Sequence, residues 1–209
     1  MRHRRASAWR HPRASAWIVG IIGLGLMVAF SVYQGQAGSR GSRAAPGVPA
    51  GRPLHYFAAP LAASTLDGDA NIAPPCTPAR HDPRALNTCL LLRRAPLVLA
   101  LFVSGAKNCV RLIDTIQALS RRFPPERVQF AALAVRAGHS QIEAIVRSHG
   151  WTIPVAYDRD GALGALFGVQ ACPMVELARR GGVVAQRLVG DHWLYAGALA
   201  ARVRALLGR

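Results

Sequence analysis

Four sulfurs are the residues best able to do chemistry in this chain: Cys76, Cys89, Cys109 and Cys172. Cys109 follows Ser104-Gly105-Ala106-Lys107-Asn108, between an apolar run and an amphipathic pattern, which places it in the first turn of a helix. A helix N-terminus carries partial positive charge, and Lys107 and Arg111 flank the thiol. All of these favour the thiolate, the nucleophilic form of cysteine. Cys172 directly precedes Pro173, and Cys76 and Cys89 stand thirteen positions apart in a proline-bearing stretch. Read for packing alone, Cys109 and Cys172 are small core residues, since free cysteine is among the most buried types. The spacings contain no Cys-x2-Cys pair and the seven histidines are dispersed, so the sequence argues for no metal site and no cofactor.

The elements that must hold Cys109 are legible on either side of it. Residues 97–102, LVLALF, are apolar throughout, too short for a helix and dense enough for a fully buried strand. After Cys109, Leu112, Ile113, Ile116 and Leu119 recur at helical spacing, which assigns Arg111, Asp114, Gln117 and Arg121 to water.

The formal net charge of +16 comes almost wholly from arginine, Lys107 being the sole lysine. These arginines are scattered and not interleaved with exposed aromatics, so no nucleic-acid partner is expected. Five arginines and two histidines fall in the first thirteen residues, and residues 14–39 carry no charge. Within that gap residues 17–33, WIVGIIGLGLMVAFSVY, are apolar, bounded by Trp and Tyr, and long enough to cross a bilayer with little tilt. A basic flank ahead of such a run keeps the N-terminus in the cytoplasm. The expected organisation is a basic cytoplasmic tail (1–16), a single transmembrane helix (17–33), a flexible Gly/Ala/Ser/Arg/Pro linker (34–53) and an extracytoplasmic domain (54–209). A cleaved signal peptide, with Gly35, Gln36 and Ala37 at the cut, is the rival reading. The pentapeptide RASAW, present at 5–9 and again at 13–17, reads as a small duplication in the tail.

In the domain, Asp67-Gly68 marks a turn between two short apolar segments, and an insertion at about 72–91 holds Cys76 and Cys89. Strands are expected at 128–135 and 153–157, with a short helix at 140–149 between them. Asp160 caps a brief helix over 161–168, a hairpin pairs 174–178 with 183–189 around Arg179-Arg180-Gly181-Gly182, and a final helix runs over 193–207 with Leu194, Leu199, Val203 and Leu207 inward. Asp158 and Asp160 read as turn and cap residues, not paired general acids, and His192 and Trp193 as the start of the last helix. Strands alternating with helices, then a hairpin and a helix, predict an α/β fold with a mixed central sheet and helices on both faces. An exported domain permits disulfides. A Cys76–Cys89 clip closing about 14 residues would contribute about 3 kcal/mol in the chain-entropy model. Four cysteines nonetheless allow three pairings.

This order of elements resembles the thioredoxin fold. In detail it is similar to the membrane-anchored thiol:disulfide interchange proteins (TlpA-like) and the related alkyl hydroperoxide reductase/thiol-specific antioxidant (redoxin) family. The carriers are Leu66-Asp67-Gly68, Pro96 with LVLALF leading to the cysteine-bearing helix, IPVAYDRDGALGALFGV at 153–169, Ala171-Cys172-Pro173 and Arg179-Arg180-Gly181-Gly182. The resemblance implies thiol–disulfide oxidoreductase or antioxidant activity, with protein thiols and disulfides or a peroxide as partners. It also implies that Pro173 is cis and that Cys172 faces the N-terminus of the Cys109 helix, where Ala106, Lys107 and Pro173 line the substrate groove.

The sequence departs from that family where its Cys-x-x-Cys begins. Aligning the helices gives Ala106-Lys107-Asn108-Cys109, so the first, attacking cysteine is absent. Dithiol exchange needs two sulfurs within reach, one to attack and one to release. Three readings follow. Cys109 and Cys172 form a relocated redox pair with Cys109 as the reactive thiol, or an inert disulfide. Cys109 alone serves a peroxidase, though the threonine of the peroxidase branch is replaced by Ala106. Or the chemistry was lost with the cysteine at 106, leaving a scaffold that holds an extended peptide by strand pairing.

Overall fold

The computed structural model describes residues 25, 47–70, 76–79 and 81–208. The chain divides into units 1–44 and 45–209, and the fold below is that of the second. The predicted tail lies outside the described residues, as does the predicted span at 17–33 apart from Gly25. Among the described residues no helix is long and apolar enough to cross a membrane.

Strand β1 (Ala58–Pro60) pairs antiparallel with β2 (Ala85–Asn87) as a two-stranded sheet, and α1 (Thr88–Arg94) follows. There follow β3 (Leu97–Phe102), α2 (Lys107–Ser120), β4 (Gln129–Val135), α3 (His139–His149), β5 (Val155–Asp158), α4 (Ala162–Leu166), β6 (Met174–Ala178), β7 (Val184–Val189) and α5 (Ala196–Leu207). The main sheet has the order β5-β4-β3-β6-β7. Strand β3 lies parallel to β4 and antiparallel to β6, so the sheet is mixed.

The apolar run of β3 explains its central place. All six residues are fully buried, and such a segment needs partners along both edges and cover on both faces. Val98, Ala100 and Phe102 share one core with Leu112, Ile113, Ile116 and Leu119 of α2 and Leu199, Val203 and Leu206 of α5. Leu97, Leu99 and Leu101 share the other with Phe57, Leu92, Leu163 and Phe167. Helices therefore cover both faces.

Five expectations change in detail. Asp67-Gly68 does not turn one paired strand into the next: β1 and β2 are joined through residues 61–84, and Asp67 accepts hydrogen bonds from Tyr157 Oη and Arg159 Nη1. The region at 72–91 carries β2 and the start of α1, so it is partly built into the fold. Residues 47–53 of the expected linker pack on the domain: Val48 is buried, Gly51 N–H donates to Val184 O at 2.8 Å, and Val184 N–H donates to Arg52 O at 2.9 Å. Gln117 is buried, since its Oε1 accepts from the N–H groups of Thr152 and Ile153 and fixes the entry to β5. The last helix is broken into a 3-10 turn, Asp191–Leu194, and α5, whose buried face adds Leu206 to the expected Leu199 and Val203, while Leu194 and Leu207 pack half-buried against the same core.

Candidate functional site

Cys109 is the third residue of α2 and is 1% exposed. Cys172 sits in the loop ahead of β6 and keeps part of its surface open. The two are joined by a disulfide with Cα atoms 5.6 Å apart, inside the ordinary range. The bond between Cys172 and Pro173 is cis. Strand pairing brings them together, for Met174 lies opposite Leu101, so the residues just before β6 fall at the end of β3 from which the chain turns into α2. Cys172 Sγ lies 4.0 Å from Leu101 O.

Two hydrogen bonds tie the turn after β7 to this junction. Asn108 Nδ2 donates to Asp191 Oδ2 at 3.0 Å, and Gly190 N–H donates to Pro173 O at 2.9 Å. Ala106 occupies the N-cap position with no side-chain acceptor, and no acidic residue stands in the first turn. The N-terminus of α2 is therefore uncapped by its own residues, and the Asp191 carboxylate is the acidic group that approaches it, through Asn108. Lys107 is exposed beside it.

Cys76 and Cys89 are bonded to each other, Cα atoms 6.0 Å apart, and both are buried. Cys89 stands in the first turn of α1, and its N–H points at Cys76 Sγ. No cysteine is free. Among the described residues no group of three or more His, Cys, Asp or Glu is placed to hold a metal ion.

Glu176 and Arg136 carry features not anticipated above, and Asp158, expected as a turn residue, is instead the buried last residue of β5. Glu176 of β6 is fully buried, its Oε1 accepting from Val48 N–H at 2.6 Å while its Oε2 has no hydrogen-bond partner. Burial pushes its carboxyl up to about 7, against the opposing pull of the Val48 N–H and Arg187. Asp158 is likewise buried, and burial together with the neighbouring Asp160 carboxylate raises its pKa, against the pull of the Gly164 and Leu163 N–H groups. Arg136, directly after β4, has φ 54° and is the one non-glycine with positive φ among the described residues. The signal for Glu176 and Asp158 was a carboxylate inside or ending an apolar strand. Nothing in the sequence marks Arg136.

No known family profile matches the chain, and no curated protein matches it. Solved structures do. The protein assigned as thiol:disulfide interchange protein DsbE from Chlorobium tepidum superposes with a TM-score of 0.62 at 18% identity, covering 77% of this chain and 99% of its own. A secreted Mycobacterium tuberculosis disulfide oxidoreductase homologous to E. coli DsbE gives 0.54 at 17% identity, with 71% and 94% covered. The peroxidoxin BcpB from Mycobacterium tuberculosis gives 0.57 at 15% identity, with 75% and 96% covered. At these identities the likeness establishes the fold alone, a thioredoxin-like α/β fold.

Proposed function

We propose that the chain is a thiol–disulfide exchange protein whose working pair is Cys109 and Cys172, acting on protein thiols and disulfides. It would be held at the outer face of a cell membrane by the apolar run at 17–33. The observation that carries this reading is the bond between one buried sulfur residue and one partly open one, at a helix N-terminus and beside Pro173. The asymmetry also divides the labour. Of the two, only Cys172 keeps exposed surface, so it would take the substrate-facing role first expected of Cys109, with Cys109 as the resolving sulfur.

Starting from the disulfide, a substrate thiolate attacks Cys172 Sγ. The bond to Cys109 breaks and its electron pair leaves on Cys109. A leaving thiol of lower pKa departs faster, and the uncapped N-terminus of α2 stabilises that thiolate. A second substrate thiolate then attacks the substrate sulfur of the mixed disulfide, forming the substrate disulfide and releasing Cys172. Two electrons pass to the protein, and the two protons of the substrate thiols are released to water or taken up by the cysteines. In reverse, the dithiol reduces a substrate disulfide. A peroxidase using Cys109 alone is disfavoured because that residue is buried and bonded.

The test is capture. With Cys109→Ser, mixing with a cysteine-containing peptide disulfide should trap a mixed disulfide on Cys172, mapped by mass spectrometry, whereas Cys172→Ser should trap none and lose exchange activity. If both variants behave like the parent chain, or the bond proves irreducible in the folded protein, the exchange reading fails and the scaffold reading is left.

A further inference from the structure

A groove of about 480 Å3 lies beside the loop that carries Cys172, lined in part by Val103, Val135, Arg136, Gly164, Val169 and Gln170. Val103 is the first residue past β3 and is 41% exposed, an unusual exposure for a valine at the end of so buried a strand. Val169 and Gln170 lead directly into Ala171-Cys172. Gly164 sets the floor, because a Cβ there would run into Val135 Cγ1, so only glycine lets α4 lie this close to β4.

At the lip stands Arg136. Its backbone is in the left-handed region, which costs a non-glycine residue on the order of 1 kcal/mol and persists only where the surroundings impose it. Its stem is laid against Gly161, where a Cβ would come within 2.9 Å of Arg136 Cγ and Nε. The side chain is exposed and makes no hydrogen bond or ion pair among the described residues. The nearby charged groups are otherwise engaged. Asp158 Oδ2 accepts from Gly164 N–H, Asp160 Oδ1 accepts from Ala162 N–H, and Arg159 is paired with Asp67 and Asp69. A positioned guanidinium with no acidic partner among the described residues, beside Val103, Val135 and Val169 of the same groove, is complementary to a carboxylate carried next to apolar side chains.

We propose that this groove binds an extended segment of the protein substrate, placing apolar residues over Val103 and Val169 and a Glu or Asp against Arg136, so that partners with an acidic residue near the exchanging cysteine are preferred. This rests on the exchange reading for its biological purpose, but binding itself is separable from chemistry. The test uses the full-length chain in detergent and fluorescent peptides in which the cysteine is replaced by alanine, flanked by two valines and by Glu, Gln or Lys. By anisotropy the Glu peptide should bind about fivefold more tightly than the Gln or Lys peptide, the scale of one exposed charge pair, and the preference should shrink with added salt. Arg136→Gln should abolish the preference. Arg136→Gly should abolish it too without loss of stability, because glycine adopts φ 54° freely. Equal affinities, no binding of any peptide, or a preference that survives both substitutions overturns the proposal. Reaction with hydroxyethyl disulfide, small and neutral, reports on Cys109 and Cys172 alone: its loss with the Glu preference intact would sink the exchange reading and leave the groove standing.

Discussion

Cys109 and Cys172 are the same residue type, and their surroundings make them different reagents. One cysteine is enclosed at the positive end of a helix, where a thiolate is stabilised; the other lies in a loop and keeps part of its surface open. Ala106, at the N-cap of α2, carries no sulfur, and the partner of Cys109 comes from the loop at Cys172. Glu176 carries a prediction at the same scale. Its carboxyl, ordinarily near 4.5, holds its proton up to about 7 in the folded chain because burial penalises the charge. Below 4.5 both folded and unfolded chains are protonated. Between 4.5 and 7 only the unfolded chain ionises, so stability falls as pH rises through that window, by roughly 3 kcal/mol, and levels off above it. Glu176→Gln keeps an acceptor for Val48 N–H and should flatten this slope in denaturant titrations at pH 5 and pH 8. An unchanged slope would mean that Glu176 does not titrate in this range.

Among the elements, α2 matters most, because it both covers the sheet and aims Cys109. Its apolar stripe was readable from spacing, and Leu112, Ile113, Ile116 and Leu119 are all buried against β3. Leu112→Ala removes a fully enclosed side chain one turn from Cys109 and should lower the unfolding free energy by about 2–5 kcal/mol. A loss below about 1 kcal/mol, measured by denaturant titration, would mean that the helix does not pack as described. The polar side of the helix was less legible. Asp114, assigned to water, accepts from Trp151 Nε1 at 2.7 Å, and Gln117 holds the backbone entering β5. Spacing tells which residues are apolar; it does not tell which polar ones meet a neighbouring loop.

For the whole molecule, the two disulfides act at different places. The Cys76–Cys89 bond fixes the segment beside β2 to the first turn of α1, away from Cys109 and Cys172 in sequence. Closing that short loop contributes about 3 kcal/mol in the chain-entropy model. The double variant Cys76→Ser/Cys89→Ser should therefore unfold at lower denaturant by that order while exchange at Cys172 continues in the folded protein. Loss of exchange under conditions where the variant is still folded would show that this bond also shapes the site. The segment at 47–54 is the other large-scale feature. Flexible by composition, it is nonetheless buried in part, since its N–H groups find acceptors on Phe167, Glu176, Val184 and Gly182.

The sequence by itself determined the α/β order, the central place of the LVLALF strand and the amphipathic helix that begins at the cysteine, because these depend on local spacing and on the need to bury long apolar runs. It also carried the resemblance from which the approach of Cys172 to Cys109 was expected. Only the tertiary structure decided that the two are bonded, that Cys109 is the enclosed member of the pair, and that Arg136 overhangs an open groove beside Cys172. Exposure and the meeting of residues 63 positions apart are set by how strands β3 and β6 align. That alignment is a sum of contacts over the whole sheet, which no single stretch of chain contains.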